Sequence, residues 1–139
     1  MKYLVVLSLC LAVVSAAALT KEEIKERLKA AHDKCQADPQ TAIDEAALKA
    51  FKDSKGKGQL PANMGPHDLC ISKALKWQNA DGKVNKELIK ERITDNVADA
   101  SKVDAIVNEC AVDKENEIAT AENLFKCLLK HHATAVHGH

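Results

Sequence analysis

The chain of 139 residues carries 20 basic and 20 acidic side chains. That balance excludes a strong field for drawing in nucleic acid or an anionic membrane, and the length allows one hydrophobic core and no second. Aromatic residues are scarce, Ala, Leu, Ile, Val and Lys dominate, and aromatic or β-branched runs bounded by tight turns are missing, so the composition points to an all-α fold.

Residues 1–18 read as a signal peptide. Lys2 supplies a positive start, Tyr3 to Val14 an apolar run, and Ser15-Ala16-Ala17-Ala18 the small residues of a cleavage site. The run falls short of the roughly 20 residues of a membrane-spanning helix, and Lys21-Glu22-Glu23 follows almost at once, so stable membrane insertion is not expected. Cleavage takes Lys2, leaving 19 of the 20 basic residues against 20 acidic ones, and it takes Cys10. Cys35, Cys70, Cys110 and Cys127 remain, an even set entering an oxidising compartment, where two disulfides are expected.

The mature domain, residues 19–139, reads as about six short helices. Thr20 and Glu23 form a capping box for the first, which runs to about Ala37 with Ile24, Leu28, Ala31 and Cys35 on one face. Pro39 ends it. Thr41 with Asp44 opens the second, through about Ser54, with Ile43, Ala47, Leu48 and Phe51 inward. From Lys55 to Gly65 runs the longest loop, whose Leu60 and Met64 are apolar enough to fold back as a lid. Pro66 suits the first turn of the third helix, with Cys70, Ala74 and Trp77 along one flank, and Asp81-Gly82 turns the chain. Asn85 caps the fourth helix, holding Leu88, Ile89, Ile93 and Val97. Asp99 or Ser101 opens the fifth, with Val103, Ile106, Val107 and Cys110. Thr120 with Asn123 starts the sixth, where Ala121, Leu124, Phe125, Leu128 and Leu129 recur around Cys127, and a polar tail follows from His131.

The cysteine spacing resembles the insect pheromone-binding and general odorant-binding proteins, in their reduced-cysteine branch, over the whole mature chain. Six-cysteine members have three residues between the second and third cysteines and eight between the fifth and sixth. Counting back from Cys70 and Cys127 lands on Pro66 and Ile118, so both partners of the second-to-fifth bridge are missing together. The Asp81-Gly82-Lys83-Val84-Asn85 turn and the Ala121 to Cys127 run fit the same pattern. Four cysteines alone allow three pairings. The resemblance implies Cys35 with Cys70 and Cys110 with Cys127, in a compact bundle around an apolar cavity.

What the resemblance further implies is a secreted carrier of small hydrophobic molecules (odorants, pheromones, fatty acids or similar lipophiles) in sensillar lymph, hemolymph or another body fluid. It would act as a monomer or weak homodimer, with a membrane receptor as a second candidate partner and no cofactor. The expected wall residues are Leu28, Leu75, Leu88, Ile93, Val103, Ile106, Val107, Leu124, Phe125 and Leu128, with Leu60 and Met64 nearer an entrance. A ten-carbon chain would gain on the order of 8 kcal/mol on burial, which after association costs fits roughly micromolar binding. The competing expectation is a disulfide-linked interaction, hemolymph or seminal protein with a filled core and the same stripes.

Other chemistries fit poorly. Aligning Gly82 with the glycine of a calcium loop places Trp77 and Leu88 where carboxylates are needed. His131, His132, His137 and His139 lack spaced cysteine or carboxylate partners for a metal, and a role for them in pH response near pKa about 6.5 is the alternative. No nucleophile-elbow, phosphate-loop, dinucleotide or zinc-protease motif occurs, and bridged cysteines offer no nucleophile, so no catalysis is expected.

Overall fold

The computed structural model describes residues 20–55 and 57–131; the expected leader and the tail beyond His131 lie outside them. Six α-helices follow in order: α1 Lys21–Gln36, α2 Glu45–Asp53, α3 Met64–Ala74, α4 Lys86–Asn96, α5 Val103–Cys110 and α6 Glu117–Lys130. One 3-10 turn, Ala100–Lys102, leads into α5.

Short polar side chains start most of these helices, as expected where the first amides lack intrahelical partners. Thr20 and Glu23 form the reciprocal capping box of α1. Asp44, Asn85 and Asn116 accept from the backbone amides of Ala47, Leu88 and Ala119 at the starts of α2, α4 and α6. Thr41 stays outside α2, where its hydroxyl donates to the Cys35 carbonyl.

Several boundaries differ from the sequence reading. α3 starts two residues earlier, because Asn63 takes a left-handed conformation (φ 64°) that turns the chain into the helix before Pro66. α6 starts at Glu117, since Asn116 takes the cap expected of Thr120. The Thr120 hydroxyl instead bonds back to the Asn116 carbonyl and accepts from the Lys114 amide. Trp77 falls beyond α3, in a clasp where the Asn79 amide donates to the Lys83 carbonyl and the Asn85 amide to the Trp77 carbonyl. Gly82 turns that clasp at φ 85°, and a Cβ there would meet Glu117 at 2.6 Å, so the turn requires glycine on both counts.

α3 packs on α6 and on α1, α4 on α5, and α5 on α6. The Cys35–Cys70 disulfide ties α1 to α3 with Cα atoms 6.0 Å apart, and Cys110–Cys127 ties α5 to α6 at 5.3 Å. The two bridges limit the unfolded chain by roughly 3 to 4 kcal/mol each in the loop-entropy account. α3 and α6 meet without a covalent link. Their contact sets the residue before Pro66 against Ile118: a Cβ on Gly65 would lie 2.7 Å from the Ile118 side chain and 2.6 Å from the Glu122 carboxylate.

Candidate functional site

The largest feature inside the bundle is one apolar cluster. Trp77, Ile89, Ile93, Val103, Ile106, Cys110, Ala111, Leu124, Cys127 and Leu128 are its buried members. Leu28, Leu75, Val84, Leu88, Val97, Val107 and Phe125 pack against them half-buried. Ten of the twelve expected ligand residues therefore meet in one place. The floor is fully enclosed, with Ile89, Ile93, Leu124 and Leu128 at zero exposure. The margin comes from α1, the end of α3, α4, α5 and α6. Trp77 and Phe125 set their rings 5.3 Å apart at 39° across it.

The remaining two expected residues lie elsewhere. Leu60 is 57% exposed and, with Phe51, Gln59 and Pro61, lines a surface groove of about 450 Å³ beside α2. Met64 is half-buried at the start of α3. Neither packs against the main cluster.

Charged and polar groups cluster inside the bundle where the sequence reading placed none. Arg92 sits on α4 between Ile89 and Ile93, 6% exposed, and its Nη1 has no hydrogen-bond partner. At the start of α3, His67 and Asp68 are both buried. His67 Nδ1 lies 2.8 Å from the Thr41 carbonyl and its Nε2 3.2 Å from His32 Nδ1, while His32 Nε2 lies 2.6 Å from Glu45. A carbonyl only accepts, so His67 donates from Nδ1 to Thr41 and turns Nε2 toward His32. This chain ties α1, the segment after it, α2 and α3 together.

Burial pushes the Asp68 carboxyl up to about 8, and the Glu122 carboxylate adds to the rise. Burial lowers His67 against the opposing pull of the Thr41 carbonyl, and the hydrogen bond from His32 holds Glu45 below the usual carboxylate range. Cys110, Cys127 and His131 bring three donor atoms within 4.8 Å of one another, but the sulfurs are joined to each other and offer no thiolate to a metal.

Together the paired bridges and the apolar centre define a small disulfide-linked helical bundle, with no helix among the described residues long and apolar enough to cross a membrane. The PBP/GOBP family profile matches residues 17–131, and the chain belongs to that family, whose members are binding proteins. It is similar to the B2 protein of Tenebrio molitor, 29% identical over 117 residues that make up 84% of this chain and 88% of the relative. The B1 protein of the same beetle is 27% identical over 117 residues, 84% of this chain and 86% of the relative. No solved structure matches significantly.

Proposed function

We propose that the mature chain, freed of a leader at residues 1–18, is a secreted carrier of the reduced-cysteine branch that binds and solubilises small hydrophobic molecules in extracellular fluid. The observation that carries this reading is the shape of the apolar cluster: a sealed floor of Ile89, Ile93, Leu124 and Leu128, and a half-buried margin drawn from five elements. A side chain that is half-buried has apolar surface still in water, so a ligand chain laid against Leu28, Leu75, Leu88, Val107 and Phe125 removes that surface as well as its own. Ligand entry parts these margin side chains and leaves the floor in place. Family membership and the two bridges, which hold the helix pairs while the margin adapts, support the same reading.

A neutral fluorescent probe, N-phenyl-1-naphthylamine, tests it with the oxidised mature chain. Saturable one-to-one binding, displaced by long-chain alcohols or acids at micromolar concentration, is the expected result. Absence of saturable binding would overturn this reading and favour the filled-core interaction protein.

A further inference from the structure

We propose that Arg92 is the polar anchor of the ligand site and selects amphiphiles with a carboxylate head, such as free long-chain fatty acids. The inference rests on the carrier reading and adds to it the chemistry of the head group.

A guanidinium has five N–H donors, and burying one without acceptors is costly. Nη1 of Arg92 is enclosed with no hydrogen-bond partner among the described residues. Nη2 bonds the Glu91 carboxylate at 2.9 Å, and the Asp95 carboxylate stands 3.7 Å from Nη1, outside hydrogen-bonding range. On the neighbouring helix α5, Asp104 is taken by Lys90 at 2.9 Å. Nη1 alone is left without a hydrogen-bond acceptor among the described residues.

The surroundings of Arg92 say what would. Ile89 and Ile93, three residues before it and one after, are fully buried members of the apolar cluster. Leu88, one helical turn before it, belongs to the half-buried margin. Arg92 is the one buried cation of α4 and follows Leu88 by one turn, so a ligand chain that ran along the margin would bring a terminal carboxylate toward it as the acceptor that Nη1 lacks. Guanidinium and carboxylate match in geometry, and a charge-assisted bond of this kind is about twice as strong as a neutral one. Glu91 and Asp95 flank the group and keep an unoccupied Arg92 from standing as an isolated charge, at the cost of competing with the incoming anion.

The test is displacement of N-phenyl-1-naphthylamine at pH 7.4 by dodecanoic acid, 1-dodecanol and methyl dodecanoate, in the parent chain and in Arg92→Met and Arg92→Lys. The expected result is that the acid displaces at about tenfold lower concentration than the alcohol or ester in the parent. In Arg92→Met that ratio falls to near one while the alcohol's affinity stays within about threefold. Arg92→Lys, which keeps the charge without the fork, retains part of the preference and shows that the loss does not come from misfolding. Equal displacement by acid and alcohol in the parent, or a preference that survives in Arg92→Met, overturns the assignment and leaves the carrier intact. Failure of all three compounds and of the fluorescent amine to bind the parent overturns the carrier reading itself.

Discussion

Asp68→Asn is expected to stabilise the protein, and to do so more as the pH rises. The carboxyl lies 5% exposed on α3, with the Glu122 carboxylate of α6 acting on it, and its pKa of about 8 stands far above the ordinary 3.8. A raised carboxyl pKa means that the folded chain holds the proton more tightly than the unfolded chain does. Stability is therefore fullest below pH 4 and falls as pH rises toward 8. At about 1.4 kcal/mol per unit of difference, the cost is about 2 kcal/mol at pH 5 and about 4 kcal/mol at pH 7. Asparagine has the same shape and no proton to give up, so it avoids this cost. Relaxation of the helix end lowers the figure, and a gain of about 2 kcal/mol at pH 7 is the working expectation. Urea unfolding at pH 4 to 8 measures it, with Trp77, the sole tryptophan, as the fluorescent reporter. The gap between variant and parent should widen with pH, and Glu122→Gln should give part of the same gain. A gap that is constant with pH, or an Asn variant weaker than the parent throughout, would refute the reasoning.

His67 works in the opposite sense. Its pKa is lowered mainly by burial, so its contribution is complete above the unfolded value of about 6.5 and is lost as pH falls below it. His67→Gln, which keeps a donor for the Thr41 carbonyl, should cost about 1 to 2 kcal/mol at pH 7.5 and flatten the acid side of the stability profile, most visibly in the Asp68→Asn background, where the opposing slope is gone. An unchanged acid side would exclude it. The paired change Pro66→Cys, Ile118→Cys should close spontaneously on oxidation, since the first turn of α3 already touches Ile118, and should add about 4 kcal/mol to stability while narrowing the range of displacing ligands. Free thiols by mass spectrometry, or an unchanged ligand range in the bridged form, would count against the view that the open α3–α6 contact is what makes the margin adaptable.

The helices were legible because their signals are local. A capping side chain, a Pro or Gly stop and a stripe at spacings of three and four depend on neighbours within a few residues, and Ile24, Ala31 and Cys35 fall inward on α1 as the spacing demands. The starts of α3 and α6 moved for a reason that is also local: Asn63 and Asn116 offer better turn chemistry than the residues first read as starts. The hidden polar groups were not legible in the same way. His67 and Asp68 lie three and two residues before Cys70, yet a charged residue beside a cysteine is ordinarily solvated, and only the approach of α1, α2 and α6 encloses these two. Arg92 left a weak trace, since three residues after Ile89 and four after Leu88 is the spacing of the inner face. Its missing partner can be seen only once the helices are packed. Leu60 shows the reverse failure: apolar in sequence, it belongs to a loop whose course sets it on the surface groove, away from the cluster.

The placement of the cross-links decides which part of the wall can give. α1 is tied to α3 and α5 to α6, whereas α4 is held by packing, by the backbone contact of Asn85 with Trp77 at its start, and by the exposed Lys90–Asp104 pair, which is worth little in salt. α4 is also the helix that carries Leu88, Ile93 and Arg92. The apolar anchors of Ile89 and Ile93 fix it to the floor, so movement that exposes them is costly, whereas Leu88 on the same helix is only half-buried. If the bundle is the carrier proposed above, a site on the one cluster-lining helix without a staple would accept chains of different length, and its selectivity would rest on the directional group beside the walls. On the carrier reading, the buried guanidinium with its unpartnered Nη1, rather than the fit of the apolar walls, is then the feature by which this bundle would tell one lipophile from another.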